Sequence, residues 1–199
     1  MFTSDPEAQG SSVSVLRKRP IERLRTAGDY RRSLVRSLMH QMVNERLGEI
    51  ARRGDAPFLR ASSGDETLGR TVEGVTVSAR VNDGGIQKGL AALGQEIARV
   101  RQFGFGEGEL DRARRDMLAS YERSFNERNT VESDGLAAEL LRHYLSGEAA
   151  PGIERELALA RQFLSTITTA EVATMARELF GDDNQVVLAS APQKPGLSA

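Results

Sequence analysis

The sequence predicts an α+β fold, a mixed or antiparallel sheet of about four to six strands with several helices stacked on it. Three observations predict it. Residues 11–18 and 71–81 alternate apolar and polar side chains, and residues 29–52 and most of 86–180 repeat apolar residues at three- and four-residue steps. A short apolar run at 186–189 then follows the last helical stretch. That final strand has to rejoin a sheet begun near the N-terminus, because a strand apolar on both faces hides them only inside a sheet.

The elements follow in chain order. Ser12 and Ser14 alternate with Val13 and Val15, the two-residue period of a strand with one buried face, and Pro20 ends it because it cannot donate to a ladder. Asp29 is placed as the N-cap of a helix whose stripe runs through Tyr30, Leu34, Leu38, Met42 and Leu47. Gly54 stops this helix after about Arg52, with Pro57 beyond. Phe58–Ser63 reads as a short strand, Gly64–Glu66 as a turn, and Thr71–Val81 as the hairpin partner, with Val75, Val77, Ala79 and Val81 on its inner face. Ile86, Leu90, Leu93, Ile97 and Val100 mark the next helix.

Leu110 to Phe125, Leu136 to Tyr144 and Ile153 to Leu164 mark three more helices. Thr168 and Glu171 have the spacing of a capping box in front of Val172, Met175, Ala176 and Leu179. Residues 11–191 therefore read as a single domain. Residues 1–10 and 192–199 read as linkers to neighbouring segments.

Of the 199 residues, 47 are Leu, Ile, Val or Phe, above the roughly 20% below which a chain cannot sustain a core. Cysteine is absent, which excludes disulfide scaffolds, thiolate metal sites and cysteine nucleophiles. No apolar run approaches the ~18 residues of a membrane span. The net charge of −1 exerts no overall pull toward nucleic acid or anionic lipid.

Candidate chemistry is sparse. Only two histidines are present, His40 and His143. Glu139 and His143 share a helix face and offer two metal ligands, but a third is not evident, and a surface hydrogen bond is the better reading. His40 and Asn44 also share a face, close to the apolar stripe, where a packed histidine is favoured. No Ser-His or His-Asp grouping stands at a recognisable turn, so nucleophilic catalysis has no foothold. The glycine run from Gly104 to Gly108 follows a helix rather than a strand and carries Glu107 and Glu109, so it reads as a helix stop rather than a phosphate cradle. Arg53-Gly54-Asp55 spells an adhesion tripeptide whose glycine already serves as a terminator. Arg112, Arg114 and Arg115 are interleaved with Asp111 and Asp116, which makes a self-neutralising solvated face.

Asn44–Ala51, Ala56–Leu59, Gly104-Phe105 followed by Glu109-Leu110, Tyr121-Glu122-Arg123, Ile167–Val172 and Asp183–Leu188 occur in an order that resembles the pitrilysin/insulinase family of zinc metallopeptidases over residues 11–191. The resemblance implies one of the paired α+β domains from which such proteases are built. Zinc in these enzymes is held by a His-x-x-Glu-His motif, which neither His40 nor His143 begins. The resemblance therefore implies the non-catalytic second domain of a half in large bacterial members, with no catalytic residue, metal ligand or cofactor of its own. Zinc is expected only in the catalytic domain of a parent protease.

The implied partners are the other domains of that parent and its peptide substrate, with no nucleic acid and no membrane. Domains of the family that clasp substrate supply an Arg and, seven residues later, a Tyr; in this chain Ala51 and Phe58 stand at those places. Both polar handles are lost. The compartment follows the parent, periplasmic or exported if it carries a signal peptide and cytoplasmic otherwise. The alternative is a stand-alone, non-enzymatic scaffold subunit of the same fold; an Arg-rich helical nucleic-acid binder is a third and weaker reading.

Overall fold

The computed structural model describes residues 2–5, 10–130, 137, 140, 141, 143–145, 147 and 149–192. Five strands form one mixed sheet: β1 (Phe2–Asp5), β2 (Ser11–Pro20), β3 (Arg60–Thr67), β4 (Val72–Val81) and β5 (Gln185–Pro192), in the order β1-β5-β2-β4-β3. Antiparallel pairing joins β2 to β4 and β5, and β3 to β4, while β1 runs parallel to β5. The expected mixed sheet is present, and the late strand does lie inside it. Helices α1 (Ala27–Ala51), α2 (Ile86–Phe103), α3 (Glu107–Asn126), α4 (Ile153–Leu164) and α5 (Thr169–Leu179) complete the described elements. Residues 137, 140, 141 and 143–145 are also helical.

Within the span read as one domain, contacts gather into two compact units. The first comprises residues 1–21, 40–104 and 176–199, and the second residues 22–39 and 105–175.

The first unit holds the sheet. Val13 faces Ala79, and Val15 faces Val77, so the alternating residues of β2 and β4 share one buried face. Met42 and Leu47 of α1 and Leu93 and Val100 of α2 are fully buried, each worth about 1.5–3 kcal/mol against exposure. At Gly89 α2 comes so near the sheet that an added Cβ would lie 2.5 Å from Val81 Cγ1. Glycine is what permits that approach. Arg19 and Glu73 stand opposite each other across β2 and β4 and form an ion pair of 3.2 Å with both side chains 9% exposed. Arg46 reaches Glu96 at 3.4 Å and donates to the Gly104 carbonyl at 3.0 Å, tying α1 to the end of α2.

Arg17 of β2 donates to the Glu178 carbonyl at the end of α5 and to the Asp183 carboxylate. It thereby satisfies a helix C-terminus and fixes the turn that leads into β5.

The second unit is helical. Leu34 and Leu38 of α1, Leu110 and Ala113 of α3, and Leu157, Ala160 and Leu164 of α4 are buried. The predicted Thr168-Glu171 box forms: the Glu171 carboxylate accepts from the Thr168 amide at 2.9 Å and the Thr168 hydroxyl from the Glu171 amide at 3.3 Å.

Four expectations need correction. Asp29 is not the N-cap of α1; it sits in the first turn and accepts from the Thr26 amide at 2.9 Å, while its own amide donates to the Thr26 hydroxyl at 3.1 Å. The reciprocal box is therefore headed by Thr26. Gly64–Glu66 are not a turn but the second half of β3, and the chain reverses at Leu68–Thr71, where the Leu68 and Gly69 amides donate to the Val72 carbonyl. Phe58 lies before β3 rather than in it. Phe2–Asp5, inside the stretch read as a linker, form β1, and β5 extends to Pro192. Ladder pairing is made by backbone groups and needs no apolar alternation, which is why composition hid β1.

Candidate functional site

His40 and Asn44 project from the C-terminal half of α1 onto strand β3 at the sheet edge. Ser63 is paired with Val77 on its inner side, and the Asn44 amide group takes its backbone on the outer side. The Ser63 amide donates to Asn44 Oδ1 at 2.6 Å, and Asn44 Nδ2 donates to the Ser63 carbonyl at 3.0 Å. A side-chain amide thus takes the place of a neighbouring strand. His40 lies one turn earlier, with Nδ1 2.8 Å from Ser63 Oγ and Nε2 3.4 Å from Asp65 Oδ1. Ser63 and Asp65 are two apart and share a face of β3, which is how one imidazole bridges them.

This Ser-His-Asp grouping was not legible as a motif, since its members are 23 and 25 residues apart in sequence. By residue type it resembles a nucleophilic triad. Its placement does not. Ser63 is 6% exposed and His40 8% exposed, so the hydroxyl lies beneath a helix and has no room for an acyl group or an oxyanion hole.

The same geometry tests whether these residues suit zinc. Both ring nitrogens of His40 face hydroxyl or carboxylate partners and the Asn44 amide is spent on backbone, so the set does not fit a tetrahedral zinc shell. Glu139, the proposed companion of His143, lies outside the described residues. Among the described residues no group of three His, Asp or Glu converges on one point.

Phe58 is 3% exposed, in the core, and Ala51 is the last residue of α1. Neither presents a polar group. Gly104, with φ 65°, closes α2, and the Gly106 amide donates to the Glu109 carboxylate at 2.7 Å at the start of α3, so the glycine run is the helix stop that its setting implied. On α3 the partner of Asp111 is Arg114, at 2.8 Å, and Glu122 pairs with Arg161 of α4 at 2.9 Å.

Charge elsewhere is held locally. Hydrogen bonding to Arg31 draws the Glu171 carboxyl down to about 2, and bonds to Arg101 and Arg17 lower Asp182 and Asp183. Burial raises both Tyr30 and Tyr121, whose hydroxyls lie 3.0 Å apart. These shifts belong to structural pairs. None creates a base poised near neutral pH.

The face of the sheet turned away from Val75, Val77 and Ala79 is different in character. Ser12, Ser14, Ser62 and Ser78 alternate onto it, with Arg60 and Arg80 directly opposed across β3 and β4. A trough of about 660 Å³ lies there. Leu16 closes the face farther along by folding over Gly74, where an added Cβ would meet its Cδ1 at 2.3 Å.

No protein-family model matches the chain. It is 31% identical over 175 residues to a zinc protease PQQL-like of Arabidopsis thaliana, covering 88% of this chain and 15% of that protein. Its fold matches the first half of the periplasmic protease PqqL from Escherichia coli with a TM-score of 0.89 and 17% identity, over 96% of this chain and 41% of that one. It also matches a predicted insulinase family protease from Yersinia pestis with a TM-score of 0.86 and 15% identity, over 99% of this chain and 43% of that one. The chain thus spans about a seventh of the first and less than half of each of the other two.

Proposed function

We propose that this chain, a pitrilysin/insulinase-like domain, is a non-catalytic domain of a larger zinc metallopeptidase, where it packs against the zinc-bearing domain and forms part of the wall of a peptide chamber. One observation carries the reading. The fold of this chain matches 41% of a half-protease, yet its His40 is locked between Ser63 and Asp65 and begins no His-x-x-Glu-His motif. The polypeptide supplies the framework of a peptidase domain without the ligands that would hold the metal. Ala51 and Phe58 offer no group to grip a scissile carbonyl. Its contribution is therefore enclosure and alignment of substrate rather than chemistry.

Among the described residues no helix is long and apolar enough to cross a membrane. The compartment is that of the parent, and a periplasmic one would match the Escherichia coli protein.

The experiment has two arms. The reading frame upstream is searched for His-x-x-Glu-His, and the purified 199-residue chain is assayed for zinc by elemental analysis and for peptide hydrolysis with and without chelator. The expected result is a motif upstream, with a chain that neither holds stoichiometric zinc nor cleaves peptide. Chelator-sensitive hydrolysis by the chain alone would overturn the reading, as would a parent lacking the motif.

A further inference from the structure

Apolar side chains left in water are concentrated in one place. Among the described residues ten large apolar side chains are exposed, and four of them, Leu140 at 64%, Leu141 at 56%, Tyr144 at 84% and Leu145 at 69%, fall within six consecutive positions. All four positions are helical. Leu140 and Tyr144 are four apart, as are Leu141 and Leu145, so the two pairs lie side by side along one face. Single exposed leucines are ordinary on a protein surface, whereas a contiguous stripe marks a surface that another one covers. The end of this helix is well defined. Gly147, with φ 66°, donates its amide to the His143 carbonyl at 3.0 Å, and the Ala149 amide donates to the Leu24 carbonyl at 3.1 Å, which ties down the segment that follows.

Size decides what covers the stripe. Four such side chains expose on the order of a few hundred Å², below the ~800 Å² per partner that a stable complex of separate molecules buries. A patch of that size suffices when its partner is tethered, because a linked surface is present at an effective concentration of about millimolar. The relatives have such a tether: this chain matches 15% of the Arabidopsis thaliana protein and 41% of the Escherichia coli half, so most of each polypeptide lies outside the matched span.

We propose that the face formed by Leu140, Leu141, Tyr144 and Leu145 docks against an apolar surface of another domain of the same parent polypeptide. The proposal rests on the reading of the chain as one domain of a larger protease, and it adds which surface makes the contact. The leucines fill the interior of the contact, while Tyr144 brings a ring to bury and a hydroxyl for the polar rim.

Hydrogen–deuterium exchange, read on the peptide spanning residues 140–145, is compared between the purified 199-residue chain and the whole parent polypeptide. A short helix keeps its hydrogen bonds closed chiefly through packing of an apolar face, so its amides should exchange about tenfold more slowly in the parent, or slower still. L141E/L145E should abolish that protection in the parent. In the isolated chain it should leave the melting temperature within about 2 °C, since both side chains already face water there. A larger fall assigns the two leucines to the fold of the chain itself and overturns the proposal. Equal exchange in chain and parent overturns it, as does protection that the double substitution leaves intact. Two other occupants would also overturn it: a second copy, seen as a dimer in sedimentation velocity that L141E/L145E dissolves, or a lipid surface, seen as co-sedimentation with phosphatidylglycerol vesicles. Its failure is distinct from that of the zinc reading. A parent that carries His-x-x-Glu-His but leaves the helix unprotected sinks the docking alone, and a protected helix in a parent without that motif sinks the zinc reading alone.

Discussion

Replacing Asn44 with Ala should weaken the fold by an amount that the edge geometry sets. The substitution deletes two hydrogen bonds, of 2.6 and 3.0 Å, to the amide and carbonyl of Ser63. Those backbone groups lie at a residue that is 6% exposed, and a buried polar group stripped of its partner costs about 1–3 kcal/mol. Water can approach an edge strand, which places the sum near 2 kcal/mol rather than at the additive limit. For a chain of this size that corresponds to a fall in Tm of roughly 4–8 °C. Urea denaturation followed by circular dichroism measures the first quantity and thermal melting the second. The substitution also exposes an unoccupied stretch of strand edge, so N44A should self-associate at concentrations where the parent chain does not, as sedimentation velocity would show. A variant within about 0.5 kcal/mol of the parent and equally monomeric would refute the idea that Asn44 stands in for a strand.

Three further outcomes follow from other parts of the molecule. In α2, G89A should destabilise by about 1–3 kcal/mol because its methyl would meet Val81, whereas G94A, with nothing within 4 Å, should stabilise by about 0.5–1 kcal/mol. Opposite signs in urea titrations are the required result. E73A should destabilise, by up to about 3–5 kcal/mol, because it removes the carboxylate paired with a buried guanidinium, and the double variant R19M/E73L should recover much of that loss; a double variant no better than E73A would count against it. Glu171 titrates from 4.5 when unfolded to about 2 when folded, so its contribution is complete above pH 4.5 and fades as pH falls toward 2. With Arg31 and Glu171 30% and 38% exposed, solvent screening limits that contribution to about 1 kcal/mol. The stability gap between the parent and E171Q should therefore close between pH 4.5 and 2, and a gap that persists at pH 2 would show that the charge is not its source.

Sheet and helices were legible where side chains had to alternate or repeat to reach the core. Val13 and Val15, Val75 to Val81, and the stripe of α2 are such places, because there sequence periodicity and burial are the same fact. The Thr168-Glu171 box was legible because its partners are three residues apart. Thr26 and Asp29 have the same spacing, yet the sequence points to Asp29 as the cap, since Asp is as good a cap as Thr when viewed alone. Strand β3 escaped in its second half because Gly64-Asp65-Glu66 has the composition of a turn, while the contacts that hold it extended come from α1, more than twenty positions away. The serine rows were visible as alternation in β2, but their union with Arg60 and Arg80 depends on register. Register between strands is decided by tertiary packing.

The reach of Arg17 spans 166 positions of the polypeptide, which has a bearing on how the molecule is made. At ribosomal rates of about 5–20 residues per second, the C-terminal strand emerges roughly 8–34 seconds after its neighbour β2. Once β4 has emerged, β2 can zip onto it but leaves its other flank bare, with Val15 awaiting Val187. The nascent sheet is half-finished and adhesive, a state that favours chaperone escort. Stalling synthesis after Leu179 should trap a protease-sensitive intermediate that becomes resistant once β5 is supplied, and resistance before that point would show that the helices alone complete the fold.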